Sequence, residues 1–380
     1  MTDWLDWPFL EDRHRQLYGR VIDWCGANIA EGHDDDVDSE CRNLVVALGK
    51  AGLLKLCVAD GDKLPDVRSL ALVRALLASC SGLADFAFAM QGLGSGAISL
   101  AGSEEQKAAW LPKVASGEAI AAYALTEPET GSDAANIGMT ARKSGETWVL
   151  DGEKSYISNG TIADLLTVFA RTGSADDGAR GITAFIVRGD DPGLTVAERI
   201  DVIAPHPLAR LRFDGVKAEL LGLEAGGFKL AMQTLNLFRV TVGAAALGFA
   251  TRALQEAIQF AMTRKLGNGC LADNAVTQDR LGQMATSIDA SALLIARAAW
   301  QQDMGKKDNR RAAAMAKLYA TEEAQKVIDM AVQMHGGLGV TKGAKVEELY
   351  REIRSLRIYE GASEVQRMVI ARDLLKEHAR

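Results

Sequence analysis

The chain has 380 residues, 48% hydrophobic and 24% charged, with 37 Gly and only 7 Pro. That composition fills sizeable cores, excludes a disordered chain, a collagen or a small disulfide scaffold, and at roughly 150 residues per domain predicts two or three domains. Lys plus Arg number 43 against 50 Asp plus Glu, a formal net charge of -7, so nucleic acid is not an expected partner, although a local basic pocket for a phosphorylated ligand is compatible with it. Aromatic residues are 6%, too few for a large all-β protein. Cys25, Cys41, Cys57, Cys80 and Cys270 are an odd set with no C-x-x-C spacing and read as reduced, buried residues of a cytoplasmic protein. The acidic, aromatic start does not resemble a signal peptide, and the Ala-rich run around 240–250 is too short to span a bilayer, so no membrane insertion is expected.

The first 118 residues read as helices. Leu44–Leu56, Ser69–Leu77 and Ala84–Leu100 carry the apolar spacing, and Ser103 followed by Gln106 predicts a capping box. After Gly117 the texture changes. The run Trp148–Leu150 ends in Asp151-Gly152, a predicted hairpin turn, and Leu165–Thr172, Ile182–Arg188 and Ala209–Phe213 are further strand candidates. From Gly226 on, Phe228–Arg264, Ala275–Met304, Asn309–Met334 and Ser363–Glu377 predict an antiparallel bundle of four helices. This order is not the βαβ alternation of a dinucleotide-binding fold, and no strand–GxGxxG–helix unit exists. The reading is α+β, mainly α: an N-terminal helical domain (1–118), a central β-barrel-like domain (119–222) and a C-terminal four-helix bundle (223–380).

Four polar segments could carry chemistry. Tyr123–Asp133 leaves an apolar run and supplies Thr126, Thr130, Ser132 and the backbone N–H groups around Gly131, a turn that can cradle a phosphate or the edge of a heteroaromatic ring. An ordinary Asp/Ser/Gly surface turn is the plain alternative. Period 2 places Tyr156 and Ser158 on one face of a strand, suiting a flat ring or a simple cross-strand pair. Gln333–Gly339 is a helix end whose paired glycines, Gly336 and Gly337, serve as a C-cap or let a ligand approach the backbone. Glu360, between Ile358-Tyr359 and Gly361, is either a helix-end carboxylate paired with Arg354 or Arg357, or a carboxylate in an apolar pocket. Desolvation there would raise its pKa and make it a general base. The five histidines are dispersed, with no metal-ligand spacing.

In order along the chain, these pieces resemble the acyl-CoA dehydrogenase family of flavoenzymes. The segments are Gly102-Ser-Glu-Glu-Gln-Lys-x-x-x-Leu-Pro112, Leu125-Thr-Glu-Pro-x-x-Gly-Ser-Asp133, Gly152-x-Lys-x-Tyr-Ile-Ser-Asn-Gly160, Gly336-Gly337 with Arg351 and Arg354, and Ile358-Tyr-Glu-Gly361. The resemblance implies FAD as cofactor, bound between the domains and across a subunit interface. Tyr123, Leu125 and Thr126 would line the flavin, Ser132 would lie near the pyrophosphate or CoA, and Tyr156 and Ser158 would meet the ring. Arg264, Gln333, Gly336 and Gly337 would face the adenylate part of FAD, while Asn236, Arg239 and Gly361 would serve the acyl thioester. It implies a reaction in which Glu360 takes the α-proton of an acyl-CoA or acyl-carrier thioester and the flavin takes the β-hydride. Electron-transferring flavoprotein is then the expected electron acceptor, and a homotetramer or homodimer the expected assembly. Another flavin reaction on the same scaffold (oxidase, desulfinase, monooxygenase) and a non-catalytic partner subunit are the alternatives. The chain departs from the family pattern at Leu266-Gly267, where an aromatic–Gly pair is usual, at Ala362 in place of Thr, and at Tyr156 in place of Trp.

Overall fold

The computed structural model describes residues 3–29, 36–306 and 309–379. Five helices come first: α1 (Asp12–Asn28), α2 (Val37–Lys50), α3 (Val67–Cys80), α4 (Gly82–Ala101) and α5 (Glu104–Ser116). The capping box at α5 is present: Ser103 Oγ accepts from the Gln106 N–H at 3.2 Å, and Gln106 Oε1 accepts from the Ser103 N–H at 3.1 Å. The expected single helix over Leu44–Leu56 is broken. Helix α2 ends at Lys50, Gly52 turns the chain with φ +70°, and a short 3₁₀ turn follows at Leu54–Cys57.

Seven strands follow: β1 (Ala121–Ala124), β2 (Thr140–Ser144), β3 (Thr147–Ser158), β4 (Leu165–Arg171), β5 (Ile182–Arg188), β6 (Leu194–Arg199) and β7 (Leu208–Leu221). The pairings β4–β2–β3–β7–β5 return to β4, so five strands close a ring; β1 adds parallel to β4 and β6 antiparallel to β7. The ring closes through a single pair between β2 and β4, Thr140 with Arg171, and the inward residues of the five strands, among them Ala141, Trp148, Leu150, Val168, Phe185 and Phe213, form one buried cluster. The barrel-like expectation therefore holds. The hairpin expected at Asp151-Gly152 does not. Strand β3 runs straight through both residues, and the turn lies earlier, where Ser144 pairs with Thr147 around Gly145. Gly152 instead marks a bulge: Leu150 faces Val216, Gly152 faces Phe213, and a Cβ at 152 would meet Met139 at 2.9 Å.

The remaining helices are α6 (Gly227–Thr263), α7 (Ala275–Asp303), α8 (Arg310–His335), α9 (Lys345–Leu356) and α10 (Ser363–His378). Helix α6 is long and apolar enough to cross a membrane, but 89% of its most apolar window is buried inside the protein, the setting of a core helix. Four of the five helices match the expected bundle. Helix α9 was not expected, because charges dominate its sequence. Only Val346, Leu349, Ile353 and Leu356 supply its inward apolar stripe.

The chain divides into two compact units. One comprises the described residues of 1–32, 66–85 and 239–380; the other comprises those of 33–65 and 86–238. In the first, α3 packs on α1 and α7, α7 runs along α8, and α8 also carries α9 and α10. In the second, the barrel accompanies α2, α5 and most of α4.

Candidate active site

Glu360 lies in the connection between α9 and α10, in the helical unit. It has φ +51° and is followed by Gly361 at φ +87°. A non-glycine residue in this left-handed region costs about 1–2 kcal/mol and persists only where its surroundings hold it. The holding groups are visible. The Ser363 N–H donates to the Arg357 carbonyl at 3.1 Å and closes the loop. Gln366 Nε2 donates to the carbonyls of Glu360 (3.2 Å) and Gly361 (2.8 Å). Lys317 Nζ, from α8, donates to the Gly361 carbonyl at 2.9 Å. A Cβ at 361 would meet Gln366 Nε2 at 2.5 Å, so both space and φ require glycine there.

The plain alternative for Glu360, an ion pair with Arg354 or Arg357, is not what forms among the described residues. Arg357 goes to Glu322, with Nη2–Oε2 at 2.8 Å. Glu360 Oε2 is instead sealed from solvent with no hydrogen-bond partner. Burial raises the Glu360 pKa, while the cations of Arg74, Lys317 and Arg239 pull it back and Asp85 pushes it up further. Arg74 is itself buried and clamped, with Nε to Asp85 Oδ1 at 2.9 Å, Nη2 to Oδ2 at 2.8 Å and Nη1 to Thr241 Oγ1 at 3.0 Å. Burial pushes the Lys317 ammonium down to about 8, opposed by the Glu360 charge. A carboxylate with a sealed, unpartnered oxygen and a raised pKa is equipped to accept a proton. Cations around it can hold the negative charge that such a transfer leaves on a substrate.

The second group of expected residues lies in the barrel unit. Tyr123 is buried on β1, and its hydroxyl donates to the Ala231 carbonyl at 3.2 Å. The loop after β1 is stitched to β3: Lys154 Nζ donates to the Leu125 carbonyl at 3.0 Å, and the Ser155 N–H to the Thr126 carbonyl at 2.9 Å. Lys154 Nζ also meets Glu127 Oε1 at 2.8 Å, while the Glu127 carboxylate accepts from the Gly138 and Met139 N–H groups at 2.6 and 3.0 Å. Burial pushes Lys154 down to about 8 against the pull of Glu127. This buried pair shapes the Thr126–Asp133 turn. Ser132 is exposed on it, and Thr130 Oγ1 is sealed without a partner. Tyr156 has φ +56° in a bulge of β3 between Lys154 and Ile157 and is 62% exposed, while Ile157 is buried and Ser158 is half-buried, so the expected period-2 alternation is interrupted at Tyr156. An open aromatic face, a neighbouring hydroxyl and an orphaned buried hydroxyl fit a flat ring with polar edges.

The third group lies where α6 and α8 end in the helical unit. Arg264, Gln333, Gly336 and Gly337 are all exposed. His335 is structural: it stacks on Phe260 with centroids 4.3 Å apart, and its Nδ1 faces the Ala331 carbonyl at 2.8 Å. Beside them is an open, mainly apolar cavity of about 620 Å³, lined by Phe260, Met262, His335 and Leu338 among others. Neither Glu360 nor its cations line it. Asn236 is half-buried on α6 in the barrel unit, whereas Arg239, one turn on, is buried near Glu360. Among the described residues no group of His, Cys, Asp and Glu could hold a metal ion.

Sequence reasoning missed Lys317, Gln366, the Arg74–Asp85 pair and the Lys154–Glu127 pair. A signal existed for two of them: Lys317 falls on the α8 stripe with Ala313, Ala320 and Ala324, and Arg74 on the α3 stripe with Leu70 and Leu77. A lone cation on a buried stripe must have a partner.

The chain matches, end to end, three family models: the N-terminal domain of acyl-CoA dehydrogenase over residues 11–118, its middle domain over 122–216 and its C-terminal domain over 225–375. It belongs to the acyl-CoA dehydrogenase family. Acyl-CoA dehydrogenases are FAD-dependent oxidoreductases. The human mitochondrial short-chain specific acyl-CoA dehydrogenase is 41% identical over 282 residues, 73% of this chain and 68% of that one. A 3-(aryl)acrylate reductase of Clostridium sporogenes is 40% identical over 282 residues, 73% of this chain and 74% of that one. Among solved structures, the butyryl-CoA dehydrogenase of Megasphaera elsdenii superposes with a TM-score of 0.88 at 31% identity, covering 96% of this chain and 99% of that one.

Proposed function

We propose that the protein forms a Cα=Cβ bond in an acyl thioester, with Glu360 as the base that removes the α-proton. The observation that carries this reading is the Glu360 carboxylate: sealed, without a hydrogen-bond partner at Oε2, and faced by three cations. When Glu360 accepts the proton its charge moves to the substrate's thioester oxygen, and Arg74, Arg239 and Lys317 continue to see one negative charge nearby. The field is therefore already arranged for the charge-separated state, which is how preorganised electrostatics lower a barrier. FAD, when bound, supplies the hydride acceptor. Tyr123, Leu125, Thr126, Ser132, Tyr156 and Ser158 are the residues that would hold its ring side, and Arg264, Gln333, Gly336 and Gly337 its adenylate side. Asn236, Arg239 and Gly361 would orient the thioester.

The same residues serve the reverse reaction, in which protonated Glu360 delivers a proton to Cα of an enoyl or aryl-acryloyl thioester. The relative named as a reductase, at 40% identity, makes that direction the second reading. Electron-transferring flavoprotein as electron acceptor, a homo-oligomer and a cytoplasmic location complete the proposal; the last is supported by five cysteines that are all free.

The deciding measurement is the visible spectrum of the purified protein during anaerobic titration with acetyl-, butanoyl-, octanoyl-, glutaryl- and 3-phenylpropanoyl-CoA. A flavin band bleached by one of them supports the dehydrogenase and defines its acyl class. A flavin that no saturated thioester reduces, but whose chemically reduced form is reoxidised by an enoyl or cinnamoyl thioester, supports the reductase. Peroxide release in air marks an oxidase, and protein that takes up no FAD marks a non-catalytic subunit. With the reactive thioester in hand, Glu360→Gln is expected to keep the flavin and lose at least about a thousandfold in turnover. Near-normal turnover in that variant would remove Glu360 from the mechanism.

A further inference from the structure

We propose that Lys317 and Gln366 are positioning residues for the base: together they hold the Glu360–Gly361 connection in two successive left-handed conformations and so aim the Glu360 carboxylate. This rests on the reading of Glu360 as the base. Both side chains are fully buried, at 0% exposure, and both donate to the Gly361 carbonyl. Gln366 reaches both the Glu360 and Gly361 carbonyls from the first turn of α10, and Lys317 reaches the Gly361 carbonyl from the N-terminal half of α8. The two anchors thus come from different helices and converge on one peptide unit.

A fully buried lysine costs free energy that a methionine of similar shape would not, so packing alone does not account for Lys317. Nor does the loop need either side chain to exist, since the Ser363 N–H to Arg357 carbonyl bond already closes it. What the two anchors add is the orientation of the peptide between Glu360 and the helix, at a residue whose φ of +51° is otherwise unfavourable. Lys317 adds charge as well. The carboxylate of Glu360 is faced by Arg74 from α3, Asp85 from α4, Arg239 from α6 and Lys317 from α8, with Tyr359 beside it. Removing one of three cations favours the protonated, inactive form of Glu360 and moves its titration upward. Removing the neutral Gln366 does not.

The test compares Lys317→Met and Gln366→Met with the unsubstituted FAD-loaded protein, using the thioester it turns over, and adds amide hydrogen exchange of 357–363 without substrate. Both variants are expected to retain flavin and a KM within about threefold, to lose about a hundredfold in kcat, as a displacement of about 1 Å does, and to exchange faster across 357–363. Only Lys317→Met is expected to shift the acidic limb of the kcat/KM profile to higher pH. Unchanged exchange and kcat in both variants would overturn the proposal. So would a fall in kcat that only tracks lost flavin or lost thermal stability, with the acidic limb of Lys317→Met unmoved. Should Lys317→Met fail to fold, Gln366→Met decides by exchange and kcat. Failure of the base reading is separate: Glu360→Gln would stay active, or no thioester would react, whatever the exchange of 357–363 showed.

Discussion

The ionisation of Glu360 sets a direction for the pH dependence of the reaction. The group must be deprotonated to accept the α-proton, and burial holds its pKa above the ordinary 4.5, so kcat/KM is expected to fall on acidification through a pKa higher than that value. Arg74 is the first of the cations that oppose this rise. Arg74→Met leaves Asp85 buried without its partner, so two effects follow: the acidic limb moves further up in pH, and the protein loses roughly 3–5 kcal/mol of stability. The double variant Arg74→Met with Asp85→Leu removes both charges and is expected to recover most of that stability. Denaturant unfolding of the three proteins checks the second effect, and equal stabilities of single and double variants would refute the account. At this scale the residues around Glu360 left two readings open, a paired helix-end carboxylate or a buried base, and only the ordered resemblance to the acyl-CoA dehydrogenase family favoured the base. Arg74, Asp85, Lys317 and Gln366 come from four helices, two near the start of the chain and two near its end, and no local spacing announces that they meet.

Elements were read well where one local cause decides them. The capping box at Ser103 and the long apolar stripes of α6, α7 and α8 are of this kind. Misreadings came where tertiary pairing decides. Asp151-Gly152 has the composition of a hairpin turn, yet both of its flanks pair with β7, so the glycine becomes a bulge. Helical glycines carry a related lesson with opposite outcomes at two sites. Gly19 lies inside α1 with nothing within 4 Å of an added Cβ, so Gly19→Ala is expected to stabilise by about 0.5–1 kcal/mol through helix propensity alone. In α6, Gly248 would set its Cβ 2.1 Å from the Ala75 carbonyl oxygen of α3, and a backbone atom cannot swing aside. Gly248→Ala is therefore expected to destabilise by about 1–3 kcal/mol or more. Thermal melts of the two variants should move in opposite directions, and movement the same way would mean that α3 and α6 do not approach as closely as this.

At the scale of the whole molecule, sequence order and compact units do not coincide. The helical unit draws on three separate stretches of the chain, because α1 and α3 gather with α7 to α10 while α2 and α5 belong with the barrel. Composition and texture change at Gly117 and near Gly226, and those changes are what a reader of the sequence sees; the partition of the first five helices is long-range and leaves no local mark. The consequence is testable on the C-terminal segment 223–380. In the full chain every residue of α3 from Val67 to Ala78 is buried, including Val67, Leu70, Leu72, Val73, Leu76 and Leu77. At about 1.5–3 kcal/mol for each such side chain, their burial is worth on the order of 10 kcal/mol. That is comparable with the whole net stability of a typical domain, about 5–15 kcal/mol. A 223–380 fragment lacks α3, leaves the facing surface of α7 bare, and loses Arg74 from beside Glu360. It is expected to keep its far-ultraviolet helical signal while melting broadly and binding a hydrophobic dye, the behaviour of helices without fixed packing. A sharp, cooperative melt with no dye binding would show that α7, α8 and α10 close a core by themselves and that α3 is an accessory to it.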